Sequence, residues 1–178
     1  MSVDTVTYMH LDSPLGPMIA GATDTGLCLL EWHDRGGPER ITARVMKRYK
    51  CEVTEGVNSH LETLQRELQA YFRGELRQFT GPIDVTGTAF QQQVWRELLK
   101  IPYGETRSYG QVASALNKPG AARAVGRANG ANYLAIVIPC HRVIDSNGNL
   151  HGYGGKIWRK KHLLELESGA RQISLTGE

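Results

Sequence analysis

The residues with the clearest chemical potential lie in one short segment, residues 139–142, with the sequence Pro-Cys-His-Arg. A thiol with an ordinary pKa of about 8.5 is mostly protonated at neutral pH, and a neighbouring imidazole or cation raises its thiolate fraction. Cys140 beside His141 therefore has the makings of an activated sulfur nucleophile. Because adjacent side chains in extended backbone point to opposite faces, we expect a bridging water between the two groups and a carboxylate behind the imidazole. Glu167 is the candidate for that carboxylate.

The same residues also permit an inert interpretation, in which Cys140 is a small buried side chain beside a surface histidine. The other cysteines, Cys28 and Cys51, are distant in sequence, and no Cys-x-x-Cys pair is present. This odd number and wide spacing argue against a disulfide framework or a four-cysteine zinc site. We therefore expect free thiols, and spacing alone leaves open whether Cys140 reacts.

Composition and charge limit the class of protein. The chain has 178 residues, of which 40% are hydrophobic and 22% charged, as in ordinary globular proteins. We expect neither a membrane span nor a secretory signal, and hence a cytoplasmic protein, because no run of 18 apolar residues and no basic-then-apolar leader is present. Residues 1–86 carry 9 Lys/Arg and 12 Asp/Glu (net −3), whereas residues 87–178 carry 12 and 6 (net +6). A basic half is typical of a surface for a polyanion, and also of a plain solvated face.

The first half predicts an α/β domain with an antiparallel sheet over residues 1–86. Alternating apolar runs separated by turn residues indicate strands, and apolar residues at helical spacing indicate helices. The predicted elements are strands at 3–11, 18–22 and 27–32, helices at about 38–49 and 58–73, and a Gly- and Pro-containing linker at 77–87.

The second half predicts a mostly helical domain over residues 87–170, followed by a tail at 171–178. Capping boxes at Thr88 and Ser108 open two helices, which should end near Pro102 and at Asn117. A third helix should cover about 120–129. The last two are expected to be joined by a turn of three or four residues as a helix-turn-helix, a pattern shared with many helix pairs that bind nothing.

Two further patterns in this half surround the candidate nucleophile. The apolar run 134–138 predicts a buried strand leading to Cys140. The final helix is expected to present one inward stripe, composed of Ile157, Lys160, Leu164 and Glu167. Charged residues on a core-facing stripe call for a functional explanation.

Several longer segments resemble one family of DNA repair proteins. They are PCHRVI, the upstream GTAFQQQVW, IPYGETRSYG and PGAARAVGRANGAN, and the downstream GYGG and RKKHLLELE. Together they resemble the O6-alkylguanine-DNA alkyltransferases, and LDSPLG and YFRGEL extend the resemblance into the first half. The combination is highly specific, although no single segment is. It implies a ribonuclease H-like N-terminal domain and a winged helix-turn-helix C-terminal domain.

The resemblance implies a suicide reaction in which Cys140 takes the alkyl group from O6 of a damaged guanine, and from O4 of an alkylated thymine, in one turnover without a cofactor. In the family's scheme His141 takes the thiol proton through a water and Glu167 orients it. Three further residues have implied catalytic roles: Asn132 braces the turn, Tyr153 donates towards the leaving base, and Lys160 supports that donor network.

The implied partner is double-stranded DNA containing O6-alkylguanine, with the target base flipped out from the minor groove. Arg123 matches the residue inserted in place of the flipped base, and Tyr109 the one that rotates the 3′ phosphate. Ala121, Ala122, Ala124 and Gly126 suit close approach in the minor groove, while Arg107, Lys118 and Arg127 would contact phosphates. We expect a monomer, whose copies could also cluster along DNA.

The chain departs from the family pattern at a few positions. Tyr133 stands where proline is usual, Lys156 where glycine is common, and Asp145 where a small residue is usual. We expect Tyr133 and Lys156 near the lip of the pocket, which leaves the preferred alkyl size open. Some family members bind zinc in the N-terminal domain, but the matching positions here include the non-ligands Asp4 and Thr23 and retain only Cys28 and His33, so we expect no metal.

Three rival functions remain for comparison. An alkyltransferase-like protein binds lesions without repair, but its relatives have tryptophan at the nucleophile position, where this chain has Cys140. A helix-turn-helix regulator would need no cysteine and would bind a specific sequence. A cysteine hydrolase would turn over its substrate and would have no use for a helix of small residues.

Overall fold

The computed structural model describes residues 5–150 and 153–169. The chain divides into two compact units, with the boundary between Thr86 and Gly87. The predicted tail at 171–178 lies outside the described residues. Within the described ranges, no helix has the length and apolar character needed to cross a bilayer.

The first unit is a four-stranded sheet with two helices. Its elements are β1 (Thr5–Leu11), β2 (Met18–Ala22), β3 (Leu27–Trp32), α1 (Pro38–Tyr49), β4 (Glu52–Glu55) and α2 (Ser59–Phe72). The sheet order is β3-β2-β1-β4. The first three strands pair antiparallel, as predicted, but β4 lies parallel to β1. The expectation of a purely antiparallel sheet is therefore wrong, because a four-residue edge strand with two exposed glutamates lacks an apolar pattern.

The predicted linker at 77–87 is in part bound to this sheet. Leu27 N–H donates to Pro82 O at 2.8 Å, and Asp84 N–H donates to Leu27 O at 2.8 Å. A Cβ at Gly26 would lie 2.6 Å from Pro82 O, so only glycine permits this approach. Glycine and proline correctly indicated irregular backbone, but they could not show that it pairs with the edge strand β3.

The second unit is mostly helical. Its elements are α3 (Ala89–Leu98), β5 (Arg107–Ser108), α4 (Tyr109–Ala115), α5 (Ala122–Gly130), a 3-10 turn (Cys140–Arg142), β6 (Val143–Ile144) and α6 (Ile157–Glu167). Both predicted capping boxes are present, at Thr88 with Gln91 and at Ser108 with Gln111. The short strands β5 and β6 pair parallel.

The connection between α4 and α5 is longer than predicted. Asn117 has the expected left-handed conformation, with φ of 60°, and Lys118 N–H donates to Ala113 O at 2.9 Å to close α4. Ala121 N–H then donates to Lys118 O at 2.9 Å. This extra turn delays α5 to Ala122, so six residues (116–121) replace the predicted three or four.

The inner face of α6 is rotated from the predicted stripe. Lys160 and Glu167 are buried as expected, but Ile157 is 49% exposed and Leu164 is only half-buried. The buried residues of α6 are Arg159, Lys160, Leu163, Leu166 and Glu167. The burial of Lys160 and Glu167 was predicted correctly, because both have partners in the interior. Ile157 and Leu164 were assigned to the stripe on hydrophobicity alone.

Candidate active site around Cys140

The apolar run before Cys140 folds as tight turns rather than as the predicted strand. Val137 N–H donates to Ala135 O at 2.7 Å across Ile136, whose φ is 69°. Ile138 N–H reaches back to Leu134 O at 3.0 Å. A positive φ is rare and strained for a β-branched residue. A run of five buried apolar residues fits a turn as well as a strand, and so the strand prediction is wrong here.

A second tight turn places Cys140 itself. Cys140 N–H donates to Ile138 O at 2.8 Å around Pro139, whose φ of −81° and ψ of 62° are those of an inverse γ-turn. Cys140 then opens the 3-10 turn, so the assumed extended backbone at Cys140 and His141 is also wrong. The residue Cys140 is 5% exposed, and His141 is fully buried rather than at the surface.

The side chain of Asn132 holds these turns together. Its Oδ1 accepts from Leu134 N–H at 3.0 Å, and its Nδ2 donates to Ile138 O at 3.0 Å. The same Nδ2 lies 3.1 Å from Cys140 Sγ. Asn132 therefore links the strained turn directly to the sulfur, and an N–H donor at this distance favours the thiolate.

His141 is held by a buried ionic cluster. Its Nε2 lies 2.7 Å from Glu167 Oε1. Arg142 binds the same carboxylate with two groups, Nε to Oε2 at 2.8 Å and Nη2 to Oε1 at 2.9 Å. Its Nη1 donates to Ile101 O at 2.7 Å. This clamp was not predicted from the sequence, although an arginine next to the Cys-His pair was an available partner for a buried Glu167.

This cluster fixes the charge of Glu167 and the tautomer of His141. Burial acts to raise the pKa of Glu167, but the charges and hydrogen bonds of His141 and Arg142 outweigh it and lower the pKa to about 2. Since an ionised carboxylate can only accept, the neutral His141 ring carries its hydrogen on Nε2 and has its lone pair on Nδ1. Nδ1 is buried and has no hydrogen-bond partner among the residues described. The imidazole therefore presents a basic nitrogen on the side opposite Glu167.

The low pKa of Glu167 predicts acid-sensitive stability. The folded-state pKa of about 2 lies below the ordinary value of 4.5. The resulting stabilisation, about 3 kcal/mol, is thus present above about pH 4.5 and lost as the pH falls towards 2. Urea unfolding at a series of acid pH values measures it. Glu167→Gln should flatten the pH dependence, whereas Glu165→Gln on the same helix should not. An equal pH dependence in both variants would contradict the assignment.

Lys160 and Tyr109 lie within electrostatic range of Cys140. Lys160 is fully buried, and its Nζ lies 5.9 Å from the ring centre of Tyr109. Burial lowers the pKa of Lys160, while Cys140 and Asp145 act to raise it. Burial, together with the charges of Asp145 and Cys140, raises the pKa of Tyr109. Tyr153, shortly before α6, is also buried, at 8% exposure.

Most of the predicted DNA-binding residues line one groove of about 660 Å³ between α4, α5 and the segment after β6. Its lining residues are Ser108, Tyr109, Gly110, Ala122, Arg123, Gly126, Arg127, Asp145, Ser146 and Asn147. Arg123 and Arg127 are exposed on α5, and a Cβ at Gly126 would meet the Tyr109 ring at 3.8 Å, an ordinary contact. The groove therefore combines two cations and the small residues Gly110, Ala122 and Gly126 with one carboxylate, Asp145.

The remaining predicted DNA contacts lie elsewhere. Lys118 is exposed, with its Nζ 5.1 Å from the Phe90 ring centre, and Arg107 Nη1 donates to Thr106 O at 2.9 Å. Ala121 and Ala124 are half-buried at the start of α5. These four residues are not among those lining the groove described above.

Known proteins match this chain over nearly its whole length. Residues 89–169 match the model of the DNA-binding domain of 6-O-methylguanine DNA methyltransferase, and residues 6–85 match that of its ribonuclease-like domain. The methylated-DNA–protein-cysteine methyltransferase of Mycobacterium tuberculosis (strain H37Rv) is 44% identical over 171 residues, 96% of this chain and 98% of that protein. The chain belongs to this methyltransferase family.

Two more relatives support the assignment. The methylated-DNA–protein-cysteine methyltransferase of Mycobacterium leprae is 46% identical over 167 residues, 93% of this chain and 94% of that protein. The crystal structure of Mycobacterium tuberculosis OGT in complex with DNA superposes with a TM-score of 0.81 at 44% identity, covering 96% of this chain and 98% of that chain. The methyltransferase thus has the family's two-domain fold, an N-terminal sheet-and-helix domain followed by a helical one.

Tyr133, where the methyltransferase family usually has proline, packs in the core of the second unit. It is 5% exposed, and its ring packs edge-on against Trp95 with centres 5.6 Å apart. Trp95 Nε1 in turn donates to Ala128 O at 2.9 Å on α5. Tyr133 therefore packs in the domain interior against Trp95, and its place near the lip of the pocket stays a prediction.

Lys156, where the methyltransferase family commonly has glycine, adopts a backbone conformation with φ of 76° and ψ of 144°. This region is nearly restricted to glycine, and strain there costs about 1–3 kcal/mol. We expect Lys156→Gly to raise the free energy of unfolding by about 1 kcal/mol, since glycine adopts this conformation freely. Thermal denaturation measures it. Lys161→Gly, at an exposed position inside α6, is the control and should lower the free energy of unfolding by about 1 kcal/mol. A lower free energy of unfolding in both variants would contradict the strain at Lys156.

Those positions related to a zinc site in some methyltransferases that the structure describes do not converge on a metal centre. Cys28 is fully buried in the first core, where burial raises its pKa to about 12. His33 Nε2 lies 2.9 Å from His10 Nδ1, and Asp4 is outside the described residues. Among the residues that are described, no group of three or more His, Cys, Asp or Glu side chains could hold a metal ion. A metal-free protein stays a prediction.

Proposed function

We propose that this methyltransferase repairs DNA by moving the alkyl group from O6 of a damaged guanine in duplex DNA to its own Cys140, once per molecule. O4-alkylthymine is proposed as a second substrate of the same chemistry. One observation carries the proposal: Cys140 Sγ lies 3.1 Å from Asn132 Nδ2, and the next residue, His141, has a buried imidazole whose Nε2 is held by Glu167. A thiolate with a nearby N–H donor and an oriented base is suited to attack on an alkyl carbon.

The transfer needs a base for the Cys140 thiol and an acid for the leaving purine. His141 Nδ1 accepts the Cys140 proton through a water, and the Glu167 carboxylate stabilises the imidazolium. The C–S bond forms as the C–O6 bond breaks, and the electron pair goes to the purine, which takes a proton from the Tyr153 hydroxyl. Lys160 stabilises the charge that develops on Tyr153 and the sulfur. His141 then releases its proton to solvent, and Tyr153 regains one.

DNA binding through the groove is part of the proposal. Arg123 fills the space of the flipped base, and Tyr109 rotates the 3′ phosphate. The small residues Ala121, Ala122, Ala124 and Gly126 approach the minor groove, where sequence discrimination is poor. Arg107, Lys118 and Arg127 bind phosphates. We assign this α4–α5 unit with β5 and β6 to the winged helix-turn-helix type, and the first unit to the ribonuclease H-like type. We also propose that the protein is a monomer and that it acts in the cytoplasm.

Mass spectrometry of a trapped product tests the reaction. The protein is mixed with a duplex containing O6-methylguanine, and the tryptic peptide 128–142 is mapped. We expect a gain of one methylene on Cys140 and none in Cys140→Ser, which should still bind the duplex. Binding without a gain in the wild type would instead indicate a lesion-binding protein. Repair with an unmodified peptide would refute Cys140 as the acceptor.

A further inference from the structure

Two buried polar atoms beside the nucleophile have no hydrogen-bond partner among the residues described. They are Asn129 Oδ1 and His141 Nδ1. Asn129 is 2% exposed and His141 is 0% exposed. Buried polar atoms in native proteins are almost always paired, with protein groups or with ordered water. Each of these two atoms therefore requires a partner, and the mechanism above gives Asn129 no role.

The orientation of the Asn129 amide is set by Cys140. Asn129 lies on α5, and its Nδ2 donates to Cys140 O at 3.3 Å. The oxygen and nitrogen of one amide are about 2.3 Å apart, so Oδ1 lies within about 5.6 Å of Cys140 O. That carbonyl belongs to the peptide joining Cys140 to His141. Asn129 Oδ1 therefore lies close to the peptide group that leads into His141.

Counting donors and acceptors shows what would satisfy both atoms. In the neutral ring that receives the proton, His141 Nε2 donates to Glu167 and Nδ1 accepts, and Asn129 Oδ1 is also an acceptor. A water molecule has two O–H donors and lone pairs that can accept from a thiol. One water that donates to Nδ1 and to Oδ1, and accepts from the Cys140 S–H, satisfies all three groups.

We propose that Asn129 is a positioning residue whose Oδ1 holds the water through which His141 takes the Cys140 proton. The inference rests on the proposed function, since that relay is part of it. The S–H proton moves to the water oxygen while the water's own proton moves to His141 Nδ1. The second O–H of the water donates to Asn129 Oδ1 throughout the transfer. The water molecule is therefore regenerated in the same position.

Asn129→Leu tests this inference because leucine keeps the volume and removes the Oδ1 acceptor, together with the long Nδ2 hydrogen bond to Cys140 O. We expect the pH dependence of Cys140 alkylation by iodoacetamide to shift upward by about one pH unit, and transfer from an O6-methylguanine duplex at pH 7 to fall about tenfold. The charged and titratable groups around the pair are unchanged in this variant: Glu167 and Arg142 at His141, and Lys160, Tyr109 and Asp145 near Cys140.

Val125→Ala is the matched control. Val125 is fully buried one turn earlier on α5, so its truncation lowers the melting temperature without touching the relay. An unshifted profile in Asn129→Leu, or an equal shift in Val125→Ala, would overturn the inference. Should Asn129→Leu not fold, a high-resolution crystal structure of the wild type decides, because a water within hydrogen-bond distance of both Oδ1 and Nδ1 is required. The iodoacetamide profile needs no DNA, so it stands even where methyl transfer fails and the proposed function falls.

Discussion

Glu167→Gln should slow alkyl transfer by about two to three orders of magnitude. A glutamine amide has one donor end, so it can no longer accept from His141 Nε2 and from both Arg142 nitrogens as the ionised carboxylate does. The imidazole then loses its fixed tautomer and the charge that stabilises its protonated form. General acid–base catalysis of this kind is worth about 10²–10⁴ in rate.

The same substitution should also destabilise the fold. Removing one partner of a buried ion pair leaves the other charge uncompensated, at a cost of about 3–5 kcal/mol. Single-turnover transfer assays and urea unfolding measure the two effects. Glu165→Gln, which is half-buried on the same helix and 4.0 Å from Lys161, is the matched control and should change neither by much. A Glu167→Gln rate within threefold of the wild type would show that the carboxylate has no part in proton transfer.

Asn132→Ala should have the second-largest effect, through the turn and the sulfur together. Leu134 N–H loses its side-chain acceptor in the interior, at about 1–3 kcal/mol for a buried unsatisfied group, and Ile138 O loses one of its two donors and keeps Cys140 N–H. The positive φ of Ile136 persists only while the surrounding bonds impose it. We therefore expect a loss of about 3 kcal/mol in the free energy of unfolding.

The rate of alkyl transfer by Asn132→Ala should fall by more than the loss of stability explains. Asn132 Nδ2 is the donor 3.1 Å from Cys140 Sγ, and loss of one donor to a developing charge costs about 10²–10³ in rate. Measured at a temperature where the variant is folded, transfer should drop about 100-fold. Asn149→Ala, at an exposed position in the loop after β6, should leave it unchanged. Normal transfer by folded Asn132→Ala would remove Asn132 from the reaction.

The parts of the fold that sequence predicts are those with a local chemical cause. The two capping boxes need only Thr88 or Ser108 and a glutamine three residues later, so both were predicted at the correct residue. Asn117 tolerates the left-handed conformation, which placed the end of α4. The edge strand β4 has no apolar alternation, and it forms because β1 offers a free edge for pairing.

The active site divides in the same way. Cys140, His141, Asn132 and Glu167 were predicted from residue types and family resemblance, and the structure places Asn132 in contact with Cys140 and His141 in contact with Glu167. The route of the chain to Cys140 was not predicted, because hydrogen bonds from Asn132 impose the unusual conformation of Ile136. The Arg142 clamp was missed for a related reason, since its partner is 25 residues away in the sequence.

The pairing of residues 82–84 with Leu27 also sets where the two halves could be separated. β3 is an outer strand of its sheet, and exposed strand edges promote aggregation. An N-terminal fragment truncated after residue 76 would bare the Leu27 amide and carbonyl, whereas one that continues to Thr86 keeps them covered. The solubility of the isolated N-terminal half therefore depends on residues 77–86, whose composition predicted only a linker.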